Sequence, residues 1–132
     1  MSPRHTADRL RDILNAIRVI ERYRRRGSIE DELVFDGYRM RLIEIGEAAK
    51  DLPAELTSTE QDIPWREIAR MRDHLSHRYF DTQREIIERV LTDDLKPLAA
   101  AVTRLLTRVE QAEADQTQLD FDGEEADGGS EP

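Results

Sequence analysis

The sequence predicts an all-α fold: an antiparallel bundle of four to five helices, followed by a disordered acidic C-terminal tail. Three features predict it. Apolar residues recur every third or fourth position through nearly all of residues 3–110, with charges between them. That spacing is the period of a helix with one buried face. No segment shows the strict alternation of a half-buried strand, and no internal repeat appears. Helix-breaking punctuation falls at only a few places, so connections are short and successive helices pack as neighbours. A chain of 132 residues is long enough for one domain with a real core. The expected division is a helical bundle domain over residues 1–113 and a disordered tail over 114–132.

The first helix is expected from about Pro3 to Arg25. Leu10, Ile13, Leu14, Ile17 and Ile20 form its apolar stripe. Arg22, Arg24, Arg25 and Arg26 end it, where cations suit the helix dipole, and Gly27 is a candidate C-cap. That cluster reads either as a dipole-matched helix end or as a phosphate-contacting patch. After a turn at Ser28 to Asp31, a second helix runs from about Glu32 to Lys50. Phe35, Tyr38, Leu42, Ile45 and Ala49 step along one face, and Leu33, Val34, Met40 and Ile43 widen the stripe toward burial on more than one side. Gly46 inside it costs about 1 kcal/mol relative to alanine, which a close helix–helix approach would explain.

Asp51 to Ile63 reads as a loop. Pro64-Trp65 opens a third helix that is expected to end near Phe80, because proline suits a first turn. Asp81-Thr82 can cap a shorter helix from Gln83 to about Thr92, with Ile86, Ile87, Val90 and Leu91 inward. Asp93 or Asp94 then caps a last helix with Pro97 in its first turn and a stripe of Leu98, Val102, Leu105, Leu106 and Val109. From about Ala114 the acidic composition predicts disorder. Leu119 and Phe121 within it are a possible short docking motif.

There is no cysteine, which excludes disulfides, thiolate metal sites and a cysteine nucleophile. No apolar run approaches the roughly 20 residues needed to span a bilayer. The N-terminus lacks the apolar core of a signal peptide, and a cytoplasmic location is expected. The net charge of −9 is unevenly distributed. Nine of the 29 acids lie after Arg108 and no Lys or Arg does, so residues 1–108 hold 20 basic and 20 acidic residues. A neutral folded part is compatible with an RNA ligand and predicts weak non-specific affinity.

One segment is chemically denser than packing requires: Arg72-Asp73-His74-Leu75-Ser76-His77-Arg78-Tyr79-Phe80-Asp81. Asp73, His77 and Asp81 are four apart and share a face if the helix persists, so an aspartate can orient His77. Arg72 and His77 are five apart, roughly 140° around a helix. One ideal helix aims both at one atom only if the long side chains bend toward a groove or the helix unwinds near Tyr79; a second route is a symmetric dimer that pools two copies. Histidine serves as acid or base near neutrality, and arginine presents fixed donors to phosphate oxygens. That pairing suits metal-independent RNA cleavage by an adjacent ribose 2′-hydroxyl. A hydrogen-bonded structural histidine, a divalent-metal site on Asp73/His77/Asp81, and a solvated surface role for Arg78 are the competing readings. His5 is assigned no role.

Arg72-x4-His77-x-Tyr79 resembles the R-x4-6-H motif of HEPN domains, in the R-x4-H-x-Y form of HepT-like toxins. The flanks agree: Ile63-Pro64-Trp65-Arg66-Glu67-Ile68-Ala69 before it, Leu42 to Lys50 upstream, and Asp94-Leu95-Lys96-Pro97-Leu98 downstream. The resemblance covers about residues 6–110. It implies a HEPN-like helical bundle that forms a homodimer, with the two motifs lining a shared cleft. It implies a metal-independent endoribonuclease toxin of a type VII toxin–antitoxin system, acting on mRNA or tRNA without a cofactor. The implied partner is a minimal nucleotidyltransferase (MNT-type) antitoxin that transfers AMP onto Tyr79. Arg72 and His77 are then catalytic and Asp73 supporting. Asp73 stands where asparagine is frequent in the family and sets a negative charge beside a phosphate site. Arg78, Arg22, Arg25 and Arg26 are candidate RNA contacts. The alternative is a non-catalytic helical dimer module that binds or regulates a nucleotidyltransferase partner.

Overall fold

The structure, a computed structural model, describes residues 2–77 and 79–128, and these form helices without a strand among them. Helix α1 spans Pro3–Arg26 and α2 spans Glu32–Lys50. Short helices α3 (Ala54–Thr57), α4 (Trp65–Ala69) and α5 (Met71–His77) follow. Helix α6 (Phe80–Arg89) passes through a π-helical turn, Val90–Asp94, into α7 (Leu95–Gly128).

The ends of the first two helices follow from local chemistry. Ser2 accepts a hydrogen bond from the His5 amide, and Pro3 sits where its missing N–H has no partner to lose. Asp31 accepts from the amides of Leu33 and Val34 and so caps α2. Gly27 closes α1 in an extended conformation, its N–H bonded to the Tyr23 carbonyl.

Helices α1 and α2 pack antiparallel, with Tyr23 lying 6.2 Å from Tyr38 between ring centroids near the α1 end. Helix α7 lies antiparallel along the other side of α1, joined by Arg11–Glu110 at 2.9 Å and by Arg24 to the Leu91 carbonyl at 2.6 Å. Helices α4 and α5 pack on α2. One core runs through these layers, with Leu10, Ile13, Leu42, Ile45, Leu75 and Leu105 fully enclosed. Burying each such side chain contributes about 1.5–3 kcal/mol.

Three details differ from the sequence-based expectation. The 51–63 loop contains one helical turn, α3. The single helix expected from Pro64 to Phe80 is bent at Arg70 and ends at His77. The break expected at Asp93 or Asp94 is absent; the chain stays helical and inserts a π turn instead. Pro97 explains it, because its ring removes a backbone donor and crowds the carbonyl four residues back, and a widened turn absorbs the strain. Helix α7 itself extends to Gly128. Ala, Gln, Glu and Leu are good helix formers, and no glycine interrupts them before Gly123. None of residues 114–123 is buried, and Val109 is the last buried side chain.

Two further residues correct the stripe predicted for α2. Leu33 is 83% exposed and Met40 45% exposed, so both lie outside the surfaces that α2 packs on α1 and on α4 and α5. No described helix is long and apolar enough to cross a membrane.

Candidate functional site

The dense segment is held from behind by packing. Ile68, Met71 and Leu75 are buried against α2. Gly46 of α2 lies at that contact. A Cβ there would stand 2.9 Å from the Ile68 carbonyl oxygen and 3.2 Å from the Arg72 amide nitrogen. Only glycine lets the two backbones approach this closely, which answers why a helix interior keeps it.

The C-terminal end of α5 is tied from two sides. The Leu75 carbonyl accepts from Arg39 Nε of α2 at 3.0 Å and from Gln83 Nε2 of α6 at 2.8 Å. It is one of the carbonyls a helix end leaves without an internal partner. Tyr79 then leaves in an extended conformation (φ −66°, ψ 158°), and α6 starts at Phe80, whose ring lies 4.7 Å from that of Phe35. Arg84 clasps Glu30 with two hydrogen bonds and Glu88 with another at 3.0 Å, fixing α6 against the turn before α2. The guanidinium holds the Glu30 carboxyl below the usual carboxylate range.

The opposite face of α5 is open. Arg72, Asp73, Ser76 and His77 are exposed, and Tyr79 is 89% exposed. His77 is therefore not an enclosed structural histidine. Arg72 Nε lies 3.2 Å from Glu47 Oε1, one residue after Gly46. Both side chains are more than half exposed, so the pair orients Arg72 and adds little stability. Asp73 shares the open face with His77 and makes no hydrogen bond to it. Because α5 is uninterrupted from Met71 to His77, the wide angle between Arg72 and His77 persists: Arg72 leans toward α2, and His77 stands at the α6 end. Asp81 lies beyond Tyr79 on α6, so the Asp73/His77/Asp81 stripe does not form. Among the described residues no three of His, Asp and Glu come together as a metal cage.

The remaining candidates are scattered. Arg78 lies outside the described residues. Arg22, Arg25 and Arg26 are exposed at the end of α1. Their neighbour Arg24 binds the Leu91 carbonyl, which sits about 16 Å along the α6 axis from Phe80. That end of α1 does not line the groove beside the motif. Cations that sequence reading passed over are nearer. Arg9, Lys50, Arg66 and Arg70 line an open groove of ≈ 530 Å³ with Arg72. Glu47, Asp51 and Asp73 share it. The signal was available, since Arg66 and Arg70 are four apart and Arg70 precedes His77 by two helical turns.

Such an arrangement can hold a phosphate with guanidinium donors while an exposed imidazole exchanges a proton. Comparisons with known proteins agree. Residues 13–105 match the family model described as HepT-like, "Ribonuclease HepT-like". A "Probable ribonuclease HepT" of Thermococcus cleftensis is 35% identical over 102 residues, covering 74% of this chain and 93% of that protein. A protein of Caldanaerobacter subterraneus subsp. tengcongensis named "Putative RNase TTE0752" is 34% identical over 80 residues, 61% of this chain and 71% of its own. None of the solved structures matches the chain significantly.

Proposed function

The chain belongs to the HepT-like ribonuclease family, and from that premise we propose that it is the toxin of a type VII toxin–antitoxin system, a metal-independent endoribonuclease cutting mRNA or tRNA. The observation that carries this reading is that Arg72 and His77 stand exposed on the outer face of a helix whose other face is buried.

In the proposed reaction a general base takes the proton from the ribose 2′-hydroxyl. The 2′-oxygen attacks the adjacent phosphorus. The 5′-oxygen leaves with a proton from a general acid, giving a 2′,3′-cyclic phosphate. His77 acts as acid or base, and Arg72 stabilises the charge on the phosphorane. Where imidazoles serve as both acid and base, a homodimer supplies one from each copy of α5. Leu33, Met40 and Phe80 leave apolar surface exposed on α2 and at the start of α6, which favours a second copy there.

Tyr79 is the proposed site of AMP transfer by a minimal nucleotidyltransferase antitoxin. Its exposed hydroxyl, on an extended residue between α5 and α6, is open to a modifying enzyme. An added AMP would place anionic bulk two residues from His77 and repel RNA.

Induced expression tests the reading. Growth arrest that His77→Ala relieves supports it; arrest that persists in His77→Ala contradicts it. Co-expression with the nucleotidyltransferase should add the mass of one AMP to the wild type and none to Tyr79→Phe.

A further inference from the structure

We propose that Arg66 and Arg70 form an RNA-backbone track that leads along the outer face of α4 and α5 to His77. The inference rests on the ribonuclease reading and extends it to a binding site. At the bend the Arg70 amide is shared between the Arg66 and Glu67 carbonyls, both at 3.2 Å, and the regular spacing resumes where the His74 amide bonds the Arg70 carbonyl at 3.1 Å. Along the helix after the bend Arg70 and His77 are seven residues apart, about 20° around the axis and about 10 Å along it, and Arg66 stands before the bend in the same groove as Arg70.

Both arginines are exposed, and neither forms an ion pair or side-chain hydrogen bond with any described residue. That sets them apart from Arg11, Arg84 and Arg104, each of which pairs with a glutamate from another part of the fold. Arg66 and Arg70 share their groove with Arg72, which carries the track to the proposed scissile phosphate. Lys50 adds a fourth cation on the α2 side. Guanidinium forks match phosphate oxygens and read no base, so the track binds single-stranded RNA without sequence preference. Asp73, in the same groove and between Arg70 and His77, keeps base-independent affinity low and confines phosphates to the arginine positions.

The test uses the full chain carrying His77→Ala, so that RNA is bound and not cut, and a labelled single-stranded RNA of mixed sequence. Adding Arg66→Ala and Arg70→Ala should weaken binding about tenfold at low salt and make the log K against log[salt] slope shallower by about 1.4, the value for two lost phosphate contacts on a single strand. Arg66→Lys with Arg70→Lys should recover most of the slope. In the His77 protein, the alanine pair should raise KM and leave kcat unchanged. Circular dichroism confirms the fold of each variant. If RNA is cut by the wild type but neither slope, affinity nor KM responds to the alanine pair, the track is wrong and the ribonuclease reading stands. If the wild type neither binds nor cuts RNA, both fall. If the alanine pair loses an acidic protein partner and leaves RNA binding untouched, the groove is a protein-docking site and the track is overturned.

Discussion

Two arginine-rich regions of this molecule look alike in sequence and behave differently in the fold. At the end of α1, Arg24, Arg25 and Arg26 occupy the last turn, and Arg24 reaches across to the Leu91 carbonyl in the π turn. Along α4 and α5, Arg66 and Arg70 pair with no acid among the described residues, and Arg72 pairs there with an exposed Glu47. In the first region Arg24 completes the backbone hydrogen bonding of a disturbed helix, while Arg22, Arg25 and Arg26 stand exposed. In the second region the cations share one groove, on the helices that carry an exposed imidazole. Charge density alone does not separate a helix end from a candidate site; what stands beside the charges does.

The sharpest test of that distinction is functional. His77→Ala should lower RNA cleavage by about 10²–10⁴-fold, the usual contribution of general acid–base catalysis. Replacing Arg22, Arg25 and Arg26 together by alanine should leave cleavage unchanged, measured on the same RNA. A strong loss in the triple variant would erase the contrast between the two regions.

Stability should divide differently. Leu75→Ala removes a fully enclosed side chain behind the open face and should cost about 2–5 kcal/mol in chemical denaturation. His77→Ala, two residues on, should stay within about 0.5 kcal/mol of the wild type. Similar costs for both would mean that the two faces of α5 are not distinct.

Gly46→Ala probes the seam between them. Overpacking against the Ile68 carbonyl and the Arg72 amide should cost about 1–3 kcal/mol, partly offset by about 1 kcal/mol of helix propensity. The expected net result is mild destabilisation with a larger loss of cleavage, because the added methyl pushes Arg72 away from its place. A variant as stable and active as the wild type would show that the close approach is not needed.

The smallest effect belongs to the π turn. Burial raises the Asp94 carboxyl above the ordinary aspartate value, against the opposing pull of Arg89. The folded state thus holds this proton more tightly than the unfolded one. Its favourable contribution is complete below the unfolded pKa of about 3.9 and is lost as pH rises through the higher folded value. At neutral pH the charged form works against folding, so Asp94→Asn should raise Tm by about a degree or two at pH 7, with the gain shrinking near pH 3. Thermal melts at the two pH values measure it.

Much of this was legible in the sequence. Asp31 and Gly27 mark ends of α2 and α1 because their chemistry is local. The stripes of α1 and α7 are long enough for their period to be plain. The bend at Arg70 was not legible, since Ile68 to Arg72 contains no breaker. It coincides with the backbone contact at Gly46, a tertiary effect. The end of α5 at His77 likewise lacks a glycine or proline signal and is fixed by Arg39 and Gln83 reaching the Leu75 carbonyl. Leu33 and Met40 were misread as buried because periodicity cannot tell a wide core stripe from apolar surface left for a partner. For the site, Arg72, His77 and Tyr79 stood out by type and spacing. Arg66 and Arg70 did not, because their freedom from acids appears only in three dimensions.

The central claim is that the open face of α5 carries a metal-independent centre built on His77. The direct measurement is cleavage of single-stranded RNA in EDTA by protein made without the nucleotidyltransferase, its unmodified Tyr79 verified by intact mass, with the product ends identified. The account predicts cutting that continues in EDTA, leaves 2′,3′-cyclic phosphates and disappears in His77→Ala. RNA left intact by this unmodified protein, or cutting that EDTA stops and His77→Ala does not, would contradict it.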